Sequence, residues 1–334
     1  MKAGETRPLG RSGLRVSQMG FGGAPFGNLF AKVSDADAAA TIAAALAAGI
    51  RYFDTAPLYG HGLSEHRVGD ALRGVPRDSF VLSTKIGRLL TPARAGKVEG
   101  GHFIEPLPFE VSYDYGYDAT MRSFEDSLQR LGTSRIDILL IHDVDVWTHG
   151  TREASQRRID EVMAGGYRAM RELRDQGVVG AIGAGLNEWE VCQVLAERGD
   201  FDCFLLAGRY TLLEQEALES FLPLCERRGI GVIIGGPYNT GILAVGARPG
   251  VTYNYKPAPP AVLERVSKLE AVCKRHGVAL AEAAIQFPLR HPAVAAVIPG
   301  ARAPHEIERN VAALAAPIPD ALWAELKAEG LIRA

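Results

Sequence analysis

The strongest constraint on the fold is an alternation that runs the length of the chain. Short apolar runs at Val16–Gly22, Ile50–Asp54, Phe80–Lys85, Ile136–His142, Val178–Gly185, Phe204–Ala207, Gly229–Gly235 and Val294–Ile298 are bounded by glycine, proline or polar residues and have the length of strands. Helical segments separate them. Ser34 precedes an alanine-rich run that Gly49 closes, Ser64 stands as an N-cap for Ser64–Arg73, and Asp118–Leu131 follows. Further helices run from Arg157 to about Gln176, over Glu188–Glu197 and Gln215–Arg228, and over Ala261–His276 with a continuation through Gln286. His305–Leu314 and Asp320–Glu329 close the chain. Strand and helix in regular alternation predict an α/β fold, a (β/α)8 TIM barrel forming one domain over residues 1–334. An N-terminal β-hairpin is expected between Thr6 and Val16, where Gly10 and Gly13 flank Arg11-Ser12. A doubly wound open sheet is the competing architecture, but Gly20-Phe-Gly-Gly-Ala-Pro lacks the dinucleotide-binding glycine spacing.

Composition narrows the partner. Of 334 residues, 47% are hydrophobic and 23% charged, with a net charge of -2, so a large core is expected. No cluster of Lys and Arg is long enough to track a phosphate backbone, which argues against nucleic acid. No run approaches the roughly 20 apolar residues that span a bilayer, and Met1–Gly13 lacks the apolar centre of a signal peptide. A cytoplasmic protein with a small-molecule partner is the expectation. Cys192, Cys203, Cys225 and Cys273 have no metal-binding or redox spacing, so buried reduced thiols are expected and no metal site. The segment Arg88–Tyr117, rich in Gly, Pro and aromatics, reads as a long functional loop after the third strand.

The polar residues that end the strands carry the chemistry. In a parallel barrel the C-terminal strand ends share one face, so Asp54, Lys85 and His142, ending the second, third and fourth strands, converge there, with Tyr59 on the loop above Asp54. A buried carboxylate needs a cation or donor, and Lys85 is the candidate for Asp54. A phenol starts from a pKa of about 10; a neighbouring ammonium favours its ionisation, and an imidazole can donate to a reacting oxygen. Such a set moves a proton on or off a carbonyl or alcohol oxygen. It has no nucleophile for acyl transfer, although Lys85 as a Schiff-base nucleophile in a barrel aldolase is a rival reading.

Asp54, Tyr59, Lys85 and His142, with the Asp-Thr-Ala-x-x-Tyr setting of the first two, resemble the catalytic tetrad of the aldo-keto reductase superfamily. The likeness runs from Thr6 through Asn310. Arg122-Ser-Phe-Glu-Asp-Ser-Leu-Gln-Arg-Leu-Gly, Leu140-Ile-His-Asp-Val-Asp and Leu107-Pro-Phe-Glu-Val are similar to the branch holding D-threo-aldose (L-fucose) 1-dehydrogenases and pyridoxal 4-dehydrogenases. The resemblance implies an NAD(P)-dependent oxidoreductase that takes hydride from the anomeric C1 of an aldose of L-fucose, L-galactose or D-arabinose type, giving the lactone. Pyridoxal oxidation to 4-pyridoxolactone is the alternative, and a low-turnover cofactor-binding regulatory subunit a more remote one. The loops Gly235–Gly241 and Ile298–Arg302 would cradle the cofactor, which assigns Gly22, Asn187, Gly236, Pro237, Asn239, Gly241, Pro299, Gly300, Arg302, Glu306, Arg309 and Asn310 to it. Phe26, Asp143 and Trp147 are the expected substrate residues.

Three departures from the family pattern matter. Gly185-Leu186 and Ala207 stand where relatives place Ser-Asn and Gln on the carboxamide, with Asn187 a substitute. Gly235 replaces an aromatic that commonly stacks on nicotinamide. Gly300 and Glu306 replace basic residues that meet a 2′-phosphate, so NAD is expected to be preferred, with NADP possible through Arg302.

Overall fold

The computed structural model describes residues 1–93 and 98–333. In chain order its strands are β1 (Thr6–Pro8), β2 (Arg15–Ser17), β3 (Phe21–Gly22), β4 (Tyr52–Asp54), β5 (Val81–Ile86), β6 (Arg88–Pro92), β7 (Phe109–Tyr113), β8 (Ile138–His142), β9 (Ala181–Leu186), β10 (Cys203–Ala207), β11 (Gly231–Gly235), β12 (Thr252–Tyr253), β13 (Lys256–Pro257) and β14 (Val294–Ile298). Eight of them form one parallel sheet, in the order β14-β11-β10-β9-β8-β5-β4-β3. Parallel bridges Met19–Val297 and Gly22–Gly300 bring its two edges together, closing the barrel. The hairpin β1–β2 reaches the opposite end, where Arg11 N donates to Gly229 O at 2.9 Å. Gly10 is obligatory there: its φ is +54°, and a Cβ would lie 2.4 Å from Gly231 N.

Strand periodicity decides what points inward. Tyr52, Ile138, Leu140, Leu205 and Ile233 pack together inside the barrel, while their neighbours Phe53, Leu139, Ile141, Leu206 and Ile234 pack outward under the helices. By the same alternation Asp54, Ser83, Lys85 and His142 face the interior.

Several local expectations are corrected. Val16–Gly22 is not one strand: Arg15–Ser17 pairs in the hairpin and Phe21–Gly22 in the barrel. Between them Gly20 presses on Tyr52, leaving no room for a Cβ. Ser64 is no N-cap; Gly62 holds that position with φ +98°, and Ser64 lies inside the helix Leu63–Leu72. Its hydroxyl instead donates to Gly23 O and bonds the Thr55 hydroxyl, tying the loops after β3 and β4 together. The segment Arg88–Tyr117 contains an antiparallel hairpin, β6–β7, paired from Arg88–Tyr113 to Pro92–Phe109. Residues 94–97 of that segment lie outside the described ones. The helix expected to begin at Arg157 is preceded by helical structure: Val146–His149 and Arg152–Glu161 are already helices. All four cysteines are free and buried. No helix among the described residues is long and apolar enough to cross a membrane.

Candidate active site

Register brings the strand-end residues into a rising step. Asp54 pairs with Ser83, Lys85 with Leu140, and His142 with Gly185, so each polar residue sits one layer above the last around the barrel. Lys85 Nζ donates to Asp54 Oδ2 and to Thr55 O, both at 2.8 Å. Ser83 donates to Asp54 Oδ1 at 2.7 Å and bonds the Tyr52 hydroxyl at 3.0 Å. With Asp54 2% and Lys85 1% exposed, this is a fully desolvated ion pair whose oxygens are all met. Gly185 makes room for it: a Cβ there would stand 3.1 Å from Lys85 Cε.

Tyr59 lies above the pair, half-buried, with Lys85 Nζ 4.7 Å from its ring centroid. Its ring meets His142 edge-on at 5.8 Å and Phe103 at 6.1 Å. The tetrad expected from sequence is therefore brought together in one place. One energetic expectation changes. Burial outweighs the pull of Lys85 and raises the Tyr59 phenol to about 12. Burial alone would lower the Lys85 ammonium, but Asp54 and Tyr59 hold it above the ordinary lysine range. His142 is pushed well below the usual histidine value by burial, Arg88 and Lys85, so its imidazole is neutral.

Beyond the tetrad, Asp143 forms a second buried centre. It accepts from Arg88 Nη2 at 2.6 Å and from Asn187 Nδ2 at 2.9 Å, and lies 3.3 Å from His142 Nε2. Burial raises its carboxyl to about 7 against the pull of Arg88. Sequence reasoning missed Arg88, which the unrecognised hairpin delivers, and Ser83, which strand alternation from Lys85 would have found. Trp147 is 44% exposed beside Arg209, whose guanidinium is 5.6 Å from the ring. Phe26 does not line the mouth: it is fully buried against Phe21, with ring centroids 4.8 Å apart.

The glycine loops lie at the same end of the barrel. Gly236 follows β11 with φ +55° and an exposed backbone, Pro237 is buried, and Gly241 opens the short helix Ile242–Val245 with φ +98°. Asn239 is committed to structure, accepting from Thr211 and donating to Gly208 O. At the end of β14, Pro299 is buried and Gly300 exposed; Gly22 abuts Ile298, where a Cβ would sit 2.9 Å from its carbonyl oxygen. Glu306 accepts from Arg302 N at 2.7 Å, Arg302 and Arg309 are exposed, and Asn310 accepts from Tyr238. Asn187 spends its amide N–H groups on Asp143 and Asp145, leaving its oxygen to accept. Exposed glycine backbone, an acceptor amide and a carboxylate in the first turn of the helix Pro304–Ala315 fit a nicotinamide dinucleotide.

A closed parallel barrel with a phenol, ammonium, carboxylate and imidazole at its C-terminal mouth defines a class of proton- and hydride-transferring oxidoreductases. Residues 18–329 match the aldo/keto reductase family, and the chain belongs to it. It is 44% identical to a pyridoxal 4-dehydrogenase of Microbacterium luteolum, covering 99% of both chains. It is 38% identical to a D-threo-aldose 1-dehydrogenase of a Pseudomonas species, covering 96% of each. Among solved structures it superposes on an aldo-keto reductase of Bacillus halodurans in its holo form, with TM-score 0.75, 26% identity and coverage of 99% and 97%. Aldo-keto reductases use nicotinamide cofactors, and the branch matches the one the sequence resembles.

Proposed function

We propose that this protein oxidises the hemiacetal carbon of a small cyclic hemiacetal to a lactone, with NAD preferred over NADP. The observation that carries this is the half-buried Tyr59 phenol above the buried Lys85–Asp54 pair and beside a neutral His142. The hemiacetal hydroxyl loses its proton to Tyr59 while His142 donates to the same oxygen and orients it. A nicotinamide held by the glycine loops supplies the acceptor for the hydride that leaves the carbon. Lys85 stabilises the phenolate that must form, and Asp54 and Ser83 keep Lys85 charged and placed.

The substrate order expected from sequence, aldose before pyridoxal, is reversed in our reading. Two observations favour pyridoxal: the greater identity to the pyridoxal enzyme, and an aromatic roof over the mouth. Phe103 lies against Tyr59, and Phe30, His102 and Tyr255, from three different loops, cluster with tilted rings whose centroids are 5.1 to 5.6 Å apart. A flat heteroaromatic ring suits such a roof. An aldose of L-fucose type is the second reading, favoured by Asp143 as an acceptor for sugar hydroxyls. Glu306, bonded to the Arg302 amide, places a carboxylate where a 2′-phosphate would be repelled.

Purified protein assayed for reduced-cofactor formation with pyridoxal, L-fucose, L-galactose and D-arabinose, and the products identified, tests both levels. Lactone formation with pyridoxal ahead of the sugars, and a higher kcat/KM with NAD than with NADP, is expected. Equal kcat/KM for the two cofactors would overturn the NAD assignment, and an open-chain reduction product would overturn the reaction.

A further inference from the structure

Arg88, Asp143 and the unpaired nitrogen of His142 form a cluster that the tetrad alone does not explain. The neutral His142 ring carries one N–H, on either Nδ1 or Nε2. Nε2 faces Asp143 Oδ2 at 3.3 Å, an oxygen that already accepts from Arg88, so above about pH 7 a lone pair on Nε2 would confront a carboxylate, whereas a proton there is attracted to it. Nδ1 is buried and has no hydrogen-bond partner among the described residues, so a proton there would be a stranded donor. Both considerations select Nε2–H. At 3.3 Å the contact is long for a charge-assisted bond, which leaves that N–H to an incoming oxygen.

The carboxylate is held in place from several sides. Arg88 Nη2 donates to Oδ2 at 2.6 Å and Asn187 Nδ2 to Oδ1 at 2.9 Å. The Tyr115 hydroxyl donates to the carbonyls of both His142 and Asp143, at 2.7 and 3.0 Å. Asp143 itself has φ +47°, a conformation costly for a residue with a Cβ and kept only where its surroundings impose it. Arg88 comes from β6, so the inserted hairpin reaches the chemistry through this contact, as its connecting stretch does through Phe103 against Tyr59.

We propose that Arg88 and Asp143 are a positioning pair that fixes His142 as the Nε2–H tautomer and so sets the donor that meets the reacting oxygen. The proposal rests on the hydride-transfer reading above, in which His142 donates to that oxygen.

NMR of isotope-labelled histidine ring nitrogens in the substrate-free protein reads the tautomer directly, with His142 identified by the signal lost in His142→Gln. The wild-type ring is expected as Nε2–H. Asp143→Ala, which removes the oxygen facing Nε2 and leaves the Arg88 cation beside the ring, is expected to move the proton toward Nδ1 and to lower kcat roughly 10- to 100-fold with a smaller change in KM. Arg88→Lys, which keeps the charge, retains the tautomer and most of kcat. Should either variant fail to fold, the wild-type spectrum still decides: an Nδ1–H ring overturns the proposal. So does Nε2–H persisting unchanged in folded Asp143→Ala. Because the spectrum needs no substrate, a correct tautomer in a protein that oxidises no hemiacetal counts against the functional reading and not against the pair.

Discussion

Lys85 and Thr84 are neighbours in β5, and each belongs to a different buried ion-pair system. Lys85 turns into the barrel and meets Asp54; Thr84 turns outward and donates to Glu65 at 2.6 Å, and Arg130 completes that second pair. Both carboxylates are almost wholly removed from water, Asp54 at 2% exposure and Glu65 at none. The chemistry therefore does not follow from burying an ion pair. On the proposed mechanism it follows from what stands over the inner pair: Tyr59, half-buried, with Phe103 against its ring. The outer pair is sealed between the helices Leu63–Leu72 and Tyr117–Leu131, and its work is to hold them together.

That contrast can be broken by experiment. The largest effect is expected from Lys85→Met, which leaves Asp54 uncompensated. Turnover should fall by about 10²- to 10⁴-fold, and unfolding free energy by about 3–5 kcal/mol. Adding Asp54→Leu should restore stability in denaturant titrations without restoring turnover; recovery of both would mean the pair is structural only. Arg130→Met should cost a similar 3–5 kcal/mol by leaving Glu65 unpaired, while the folded fraction keeps wild-type kcat. A kcat loss matching that of Lys85→Met would erase the distinction between the two pairs. A smaller effect concerns pH. Oxidation needs the Tyr59 phenolate, and that phenol is raised to about 12, so kcat/KM for oxidation should climb by up to about tenfold per pH unit through the alkaline range. A profile already flat above neutrality would show that Lys85 overcomes burial after all.

Much of this was legible in the sequence because barrel strands repeat one rule. A short apolar run ending in a polar residue puts that residue at the mouth, which sufficed for Asp54, Lys85 and His142. Ser83 follows from the same alternation. What stayed hidden depended on partners outside the repeat. The β6–β7 hairpin pairs residues separated by a Gly- and Pro-rich stretch, and with it went Arg88. Phe26 is an expected substrate residue, yet the turn at Ala24–Gly27 folds it back onto Phe21. Ser64 has the composition of a cap, but a glycine at positive φ took that position and released its hydroxyl to join two loops. Ion-pair competition with burial, which decides the Tyr59 phenol, cannot be read from residue types alone.

The proposed function turns on Tyr59 as the proton acceptor in a hemiacetal oxidation. Its direct test is reduced-cofactor formation by wild-type protein and Tyr59→Phe, with pyridoxal and L-fucose and with folding of both proteins verified by thermal unfolding. Lactone-forming turnover is expected in the wild type, with a loss of about 10²- to 10⁴-fold in kcat for an equally stable Tyr59→Phe; undiminished turnover in that variant would rule out Tyr59 as the acceptor.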